Sequence, residues 1–103
     1  MERELQLRIY RTEPGRLADF VDGWRRGVAP LRERFGFRVE AAWASLEDDT
    51  FAWLVSYEGE DGFAAADARY YASPERAALS PDPARLLAET RTLFVRPVAE
   101  TRG

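Results

Sequence analysis

The chain has 103 residues, a net charge of -3 and a pI near 5.0, with 46% hydrophobic and 32% charged residues. This argues for one domain over residues 1–103, against disorder, and against a general nucleic-acid binder. The chain has no Cys, His, Lys or Asn, so it lacks thiol nucleophiles, disulfides, imidazole bases, His-ligated metal or haem, and Schiff-base lysines.

No cofactor and no metal are therefore expected. No apolar run reaches the ~20 residues of a membrane span, and the acidic start carries no signal-peptide pattern. A cytoplasmic location is the expectation. All 15 basic residues are Arg and 16 residues are Ala. Codon bias in a GC-rich bacterial genome explains both, so a single Arg says little by itself.

Leu5, Leu7 and Ile9 alternate with Gln6, Arg8 and Tyr10, which predicts a strand over residues 4–11. Pro14-Gly15 opens a helix. Leu17, Phe20, Val21, Trp24, Val28, Leu31 and Phe35 form its apolar stripe, with Arg25, Arg26, Arg32 and Glu33 among the residues on the rest. Pro30 has no amide to donate to the Arg26 carbonyl, so a kink or restart is expected between Gly27 and Pro30. Gly36 reads as the glycine just past the helix end.

Phe37, Val39, Ala41 and Trp43 alternate with polar and small residues in a second strand. Glu47-Asp48-Asp49-Thr50 suits a hairpin loop. Asp48 and Asp49 read as solvated loop charges, since a metal site needs more ligands within reach. Phe51, Trp53, Val55 and Tyr57 lead a third strand with apolar residues on both faces. Residues 63–71 predict a helix, with Phe63, Ala66 and Tyr70 on one stripe. Ser73-Pro74 reads as an N-cap followed by proline at the first helical position, starting a short segment to about Leu79. Another helical turn falls near Arg85-Leu86-Leu87, and residues 90–98 predict a fourth strand.

Strand, helix, strand, strand, helix, strand is the order of a ferredoxin-like α+β sandwich. Right-handed crossovers favour an antiparallel four-stranded sheet ordered 4-1-3-2, with both helices on one face. Leu7, Ile9, Leu93 and Val95 are expected to face the helices. Tyr10, Phe94 and some of Trp43, Trp53 and Tyr57 then fall on the open face. An open apolar face of that size calls for a second copy, so a homodimer is expected, closing an eight-stranded barrel with a central cavity.

The segment from Gln6 to Gly15 resembles the first strand and proline-glycine helix start of the NIPSNAP family, within the dimeric α+β barrel group. The run from Trp24 through Val28-Ala-Pro-Leu-Arg32 to Gly36-Phe-Arg-Val39, with Ala42-Trp43, is similar to the family's first helix and second strand. Phe51-Ala-Trp-Leu54 and Tyr70-Tyr-Ala-Ser-Pro-Glu-Arg76 resemble its third strand and post-helix segment. The resemblance covers roughly residues 5 to 97. It implies the fold and, since larger members carry two such units where this chain carries one, a homodimer. It implies no settled chemistry. Related barrels that act on haem or chlorite use a histidine haem ligand, which this chain does not have.

Arg8 and Tyr10 are candidates for binding a small acidic or polar ligand in the barrel cavity, because a buried guanidinium holds a carboxylate through two parallel hydrogen bonds. The competing reading is an internal ion pair with Glu40 or Glu58, the commoner fate of a buried charge. Trp43, Trp53, Tyr57 and Phe94 form an aromatic set that suits either a flat, polyketide-like ligand or a dimer core, and the dimer core is favoured. Tyr70 and Tyr71, with Asp67, Arg69 and Arg76, suit a rim over the cavity in which a tyrosine donates a proton. Helix-end anchoring and capping by Ser73 explain the same residues. Arg96, at the end of the fourth strand, completes the set of ligand-binding candidates; the catalytic residues stay unknown. Three functions are compatible with these residues: a barrel binding a small organic ligand, which as an enzyme would be a cofactor-free monooxygenase of secondary metabolism; a non-catalytic adaptor with its interior filled by side chains; or a domain that binds another protein.

Overall fold

The computed structural model describes residues 3–80 and 82–99. The chain runs β1 (Glu4–Thr12), α1 (Leu17–Gly23), a π-helical turn (Trp24–Val28), α2 (Ala29–Arg34), β2 (Arg38–Ser45) and β3 (Thr50–Tyr57). It continues through α3 (Phe63–Ala72), α4 (Pro74–Ala77), a 3-10 turn (Pro83–Leu86) and β4 (Leu87–Val95). The four strands pair antiparallel in the order β2-β3-β1-β4. Read from the other edge, this is the 4-1-3-2 order that the right-handed crossovers require. The fourth strand starts three residues earlier than the sequence suggests and ends at Val95. No described helix is long and apolar enough to cross a membrane.

Where a kink or restart was expected between Gly27 and Pro30, the helix runs on without a break through the π-helical turn at Trp24–Val28. The Ala29 amide donates to the Trp24 carbonyl five residues back, just ahead of Pro30. The wider turn admits one extra residue, which rotates α2 by about 100° relative to a regular α-helix. Arg32, expected on the solvent side, is thereby carried to the core side and buried to 1% exposure. Gly36 ends the helix at φ +90°, as its position suggested. Ser73 caps α4, its hydroxyl accepting from the Arg76 amide at 3.1 Å and donating to the Tyr70 carbonyl at 2.7 Å.

The two faces of the sheet are the reverse of the sequence expectation. Tyr10 packs edge-on to Phe20 of α1 at 5.6 Å between ring centroids. Trp24 contacts Phe51 at 5.1 Å and Trp53 at 5.4 Å, and Phe63 of α3 meets Phe94 at 5.3 Å. The register then places Gln6, Arg8 and Tyr10, Phe51, Trp53, Val55 and Tyr57, and Thr90, Thr92 and Phe94 toward the helices. Leu7, Ile9, Leu54 and Leu93 lie on the opposite face and are half-buried. Burying the aromatics removes more apolar area from water than burying the aliphatics would.

A bulge between Val39 and Ala41 changes the alternation of β2. Val39 sits opposite Val55 on the helix side, while Trp43 sits opposite Ala52 on the far side and is 55% exposed. The Glu40 carboxylate at the bulge accepts from the Ser56 hydroxyl at 2.6 Å and from Arg3 at 3.2 Å.

Candidate functional site

Between the helix-facing side of the sheet and the helices lies a cavity of about 170 Å³. It lies within one chain, not between two sheets, and is partly open to solvent. β1 supplies Arg8 and Tyr10, β3 supplies Trp53, the π-helical turn supplies Trp24, α2 supplies Arg32 and α3 supplies Tyr70 and Tyr71. Arg76 of α4 and Pro83 and Ala84 of the 3-10 turn line it from the last crossover. Strand alternation points Arg8 and Tyr10 the same way, and helix spacing brings Tyr70 and Tyr71 over them.

Arg8 is 7% exposed. Its Nε donates to the Tyr10 hydroxyl at 2.6 Å, its Nη1 to Gln6 Oε1 at 2.6 Å, and its Nη2 to the Tyr71 hydroxyl at 2.7 Å. No carboxylate among the described residues lies within 4 Å of it. The expected pairing with Glu40 or Glu58 does not form, because Arg8 faces the helices and Glu40 faces Ser56 and Arg3. Burial works against the Arg8 charge. The electron-rich oxygens of Tyr10 and Tyr71 outweigh it and hold the guanidinium pKa above its ordinary value.

Arg32 is the second buried cation. It pairs with Asp67 at 2.6 Å and donates to the Tyr71 hydroxyl at 3.3 Å. Its guanidinium lies 3.9 Å from the Tyr70 ring and 4.7 Å from the Phe37 ring, an aromatic cage that compensates lost hydration. The Tyr71 oxygen thus accepts from two guanidiniums, leaving its own hydrogen to donate. Behind the wall, four buried polar atoms have no partner among the described residues: the Trp24 and Trp53 indole nitrogens, Arg32 Nε and the Tyr70 hydroxyl. Burial also keeps the Tyr70 phenol above its ordinary pKa, against the pull of Arg32 and Arg76.

Of the residues singled out in the sequence, Arg8, Tyr10, Trp53, Tyr70 and Tyr71 meet at this cavity. Trp43 does not, being on the other face beyond the bulge. Tyr57 belongs to a neighbouring cluster, where its hydroxyl donates to Asp61 at 2.7 Å and, ahead of Arg69, depresses that carboxyl's pKa. Phe94 packs on Phe63 at 59% exposure, and Arg96 borders a surface depression with Arg3 and Leu5. Arg76, read from the sequence as part of a rim, also lines the cavity, while sequence reading missed Trp24 and Arg32 as cavity residues. The signal for Arg32 was Pro30, whose missing amide implied a turn able to rotate the next residues inward.

The NIPSNAP family model matches residues 5–101. The chain belongs to the NIPSNAP family. No curated protein matches it. An uncharacterised NIPSNAP domain protein from Burkholderia xenovorans superposes with TM-score 0.80 and 19% identity, over 97% of this chain and 99% of that one. A NIPSNAP family protein from Agrobacterium tumefaciens gives TM-score 0.81 and 13% identity over 93% of each chain. SnoaB, a cofactor-independent oxygenase from Streptomyces nogalater, gives 0.71 and 15% identity over 97% of each. At these identities the likeness shows the shared ferredoxin-like fold.

Proposed function

We propose that this NIPSNAP chain is a single-domain cytoplasmic protein that binds a small organic anion in the cavity between its sheet and helices. The observation that carries the reading is Arg8: a buried cation at the cavity with no carboxylate partner among the described residues. Buried charges are ordinarily paired. A ligand carboxylate supplies the missing countercharge, and the Arg8 N–H bonds not used by Gln6, Tyr10 and Tyr71 are there to hold it. The uncovered Leu7, Leu54 and Leu93 face supports a homodimer in which each copy keeps its own cavity.

Calorimetric titration with benzoate and its neutral isostere benzamide tests the anion requirement. Benzoate is expected to bind at least about tenfold more tightly, the scale of one charge-assisted contact. In Arg8→Gln that preference is expected to vanish. Equal binding of the two compounds to the wild type overturns the reading.

An enzymatic reading has a specific support. The Arg8 and Arg32 guanidiniums with the Tyr71 hydroxyl between them suit a substrate oxyanion, and SnoaB is a cofactor-independent oxygenase on the same fold. Oxygen uptake with an enolisable ring substrate, lost in Arg8→Gln, is the result that reading requires. The adaptor reading calls for an interior filled by Trp43, Trp53 and Phe94, and Trp53 alone of these reaches the cavity.

A further inference from the structure

The anion-binding reading answers one positive charge at the cavity. Resting on that reading, we infer that the ligand is a dianion: one anionic group held by Arg8 inside the cavity, and a second held by Arg76 at its open side.

The charged residues that line the cavity are Arg8, Arg32 and Arg76, and no acidic residue among the described ones lines it. The three cations are not equivalent. Arg32 is matched by Asp67 at 2.6 Å. Arg8 donates only to neutral oxygens, those of Gln6, Tyr10 and Tyr71. Arg76 stands between these cases. Its one carboxylate contact among the described residues is Asp82, where both Nη atoms reach the same oxygen at 3.5 Å, longer than an ordinary N–H···O bond. That oxygen also accepts from the Ala84 amide at 3.0 Å. The Asp82 side chain is 47% exposed and does not line the cavity, whereas the Arg76 side chain is 15% exposed and does. A largely covered guanidinium is thus held loosely by a carboxylate that is half in water. A guanidinium has five N–H bonds on three nitrogens, so Arg76 can keep Asp82 and still take a second carboxylate.

Tyr71 sets the spacing. Arg8 Nη2 donates to its hydroxyl at 2.7 Å, while the Arg76 guanidinium lies 5.6 Å from the centre of its ring. The two cations therefore stand at the tip and beside the body of one side chain, within the span of a small ligand lying along it. Tyr71, Ala84, Thr90 and Thr92 are the exposed residues of the lining and mark the side on which the cavity opens. Arg76, beside Tyr71, belongs to that side. The inner anionic group gives up its water against Arg8, which has no other countercharge. The outer group keeps part of its hydration, so its desolvation is the smaller cost.

The test is a calorimetric series with the three benzenedicarboxylates, the monomethyl ester of each, and benzoate. Each ester keeps the shape of its parent and removes one charge. At least one dicarboxylate is expected to bind about tenfold or more tightly than its own ester, the scale of one charge-assisted contact. In Arg76→Gln that advantage is expected to fall to threefold or less, with benzoate affinity changed by less than about threefold. Arg85→Gln removes a nearby exposed cation that does not line the cavity, and should leave the advantage intact. If benzoate binds and no dicarboxylate exceeds its ester by threefold, the dianion inference fails while anion binding stands. An advantage that survives Arg76→Gln, or that falls equally in Arg85→Gln, overturns Arg76 as the second anchor. If none of these acids binds at millimolar concentration, the inference and the binding reading fall together.

Discussion

At the scale of single residues, the cavity is lined by polar groups whose burial costs stability. Arg8 and the unpartnered Tyr70 hydroxyl are both groups whose burial is unfavourable by itself. Tyr70 allows a direct check. Burial raises its folded-state pKa above the unfolded value, which is near 10. The folded state therefore holds that proton more tightly. Its stabilising contribution is complete below about pH 10 and is lost as pH rises through the folded pKa. Urea denaturation from pH 8 to 11 should show a fall in stability above pH 10 that is shallower in Tyr70→Phe. At pH 7 the same substitution should leave stability unchanged or slightly higher, since the hydroxyl has no partner to lose among the described residues. Identical curves above pH 10 for the two proteins would remove Tyr70 as the titrating group. None of this was visible in the sequence. Tyr70 was legible as a stripe residue of its helix, but the guanidinium 3.9 Å from its ring comes from Arg32, 38 positions earlier on an element the π-helical turn had to rotate.

At the scale of elements, the last crossover closes the site through short, capped pieces. α4 holds Arg76 with its guanidinium 5.6 Å from the Tyr71 ring and 3.5 Å from Asp82. Its start was readable because a serine cap and a first-turn proline are local chemistry. The Ser73 hydroxyl also donates to the Tyr70 carbonyl, so it joins the end of α3 to the start of α4. Ser73→Ala should therefore cost about 1 kcal/mol, the usual worth of an N-cap. It should also weaken binding of a cavity ligand, because Arg76 loses its anchor. Denaturant titration and calorimetry read the two effects separately. A loss below about 0.3 kcal/mol would mean that the Pro74 turn holds without its cap. Element identity was legible throughout for the same reason: period-two and period-3.6 patterns, glycines and prolines are local signals. The β2 bulge was not, because the alternation Phe37, Val39, Ala41, Trp43 runs unbroken through the residues while the backbone takes an extra residue at Glu40.

At the scale of the whole molecule, the sheet order came from crossover handedness, but the choice of face did not. β1, β3 and β4 carry large apolar residues on both sides, so alternation alone could not say which side meets the helices. Charge patterning misled as well, since Arg8 was expected on the open face, with Glu40 or Glu58 as partner, and instead faces the helices and donates to a tyrosine 63 positions away. The reversal changes where a dimer seam must be sought. Trp53 is 1% exposed in the core and Phe94 packs on Phe63, so Trp53→Arg or Phe94→Asp would disturb a single chain before any contact between copies. The candidate seam is the row Leu54, Leu7 and Leu93, aligned across three adjacent strands, with Ile9 and Ala52 beside it and Trp43 55% exposed at the β2 edge. A contiguous apolar face of this kind is stabilised by pairing with its own copy, and a stable dimer would bury at least ~1,200 Å² in total. Leu54→Arg introduces a charge at the centre of that row while leaving the helix-facing core untouched. The wild type should sediment as a dimer at tens of micromolar, a range in which a standard interface is populated. Leu54→Arg should sediment as a monomer, weakened at least about 100-fold in association, with its circular dichroism unchanged and its cavity still able to bind. A wild-type monomer at that concentration would leave the leucine row without a partner copy, and a variant that still dimerises would place the seam elsewhere, at the exposed edges of β2 or β4.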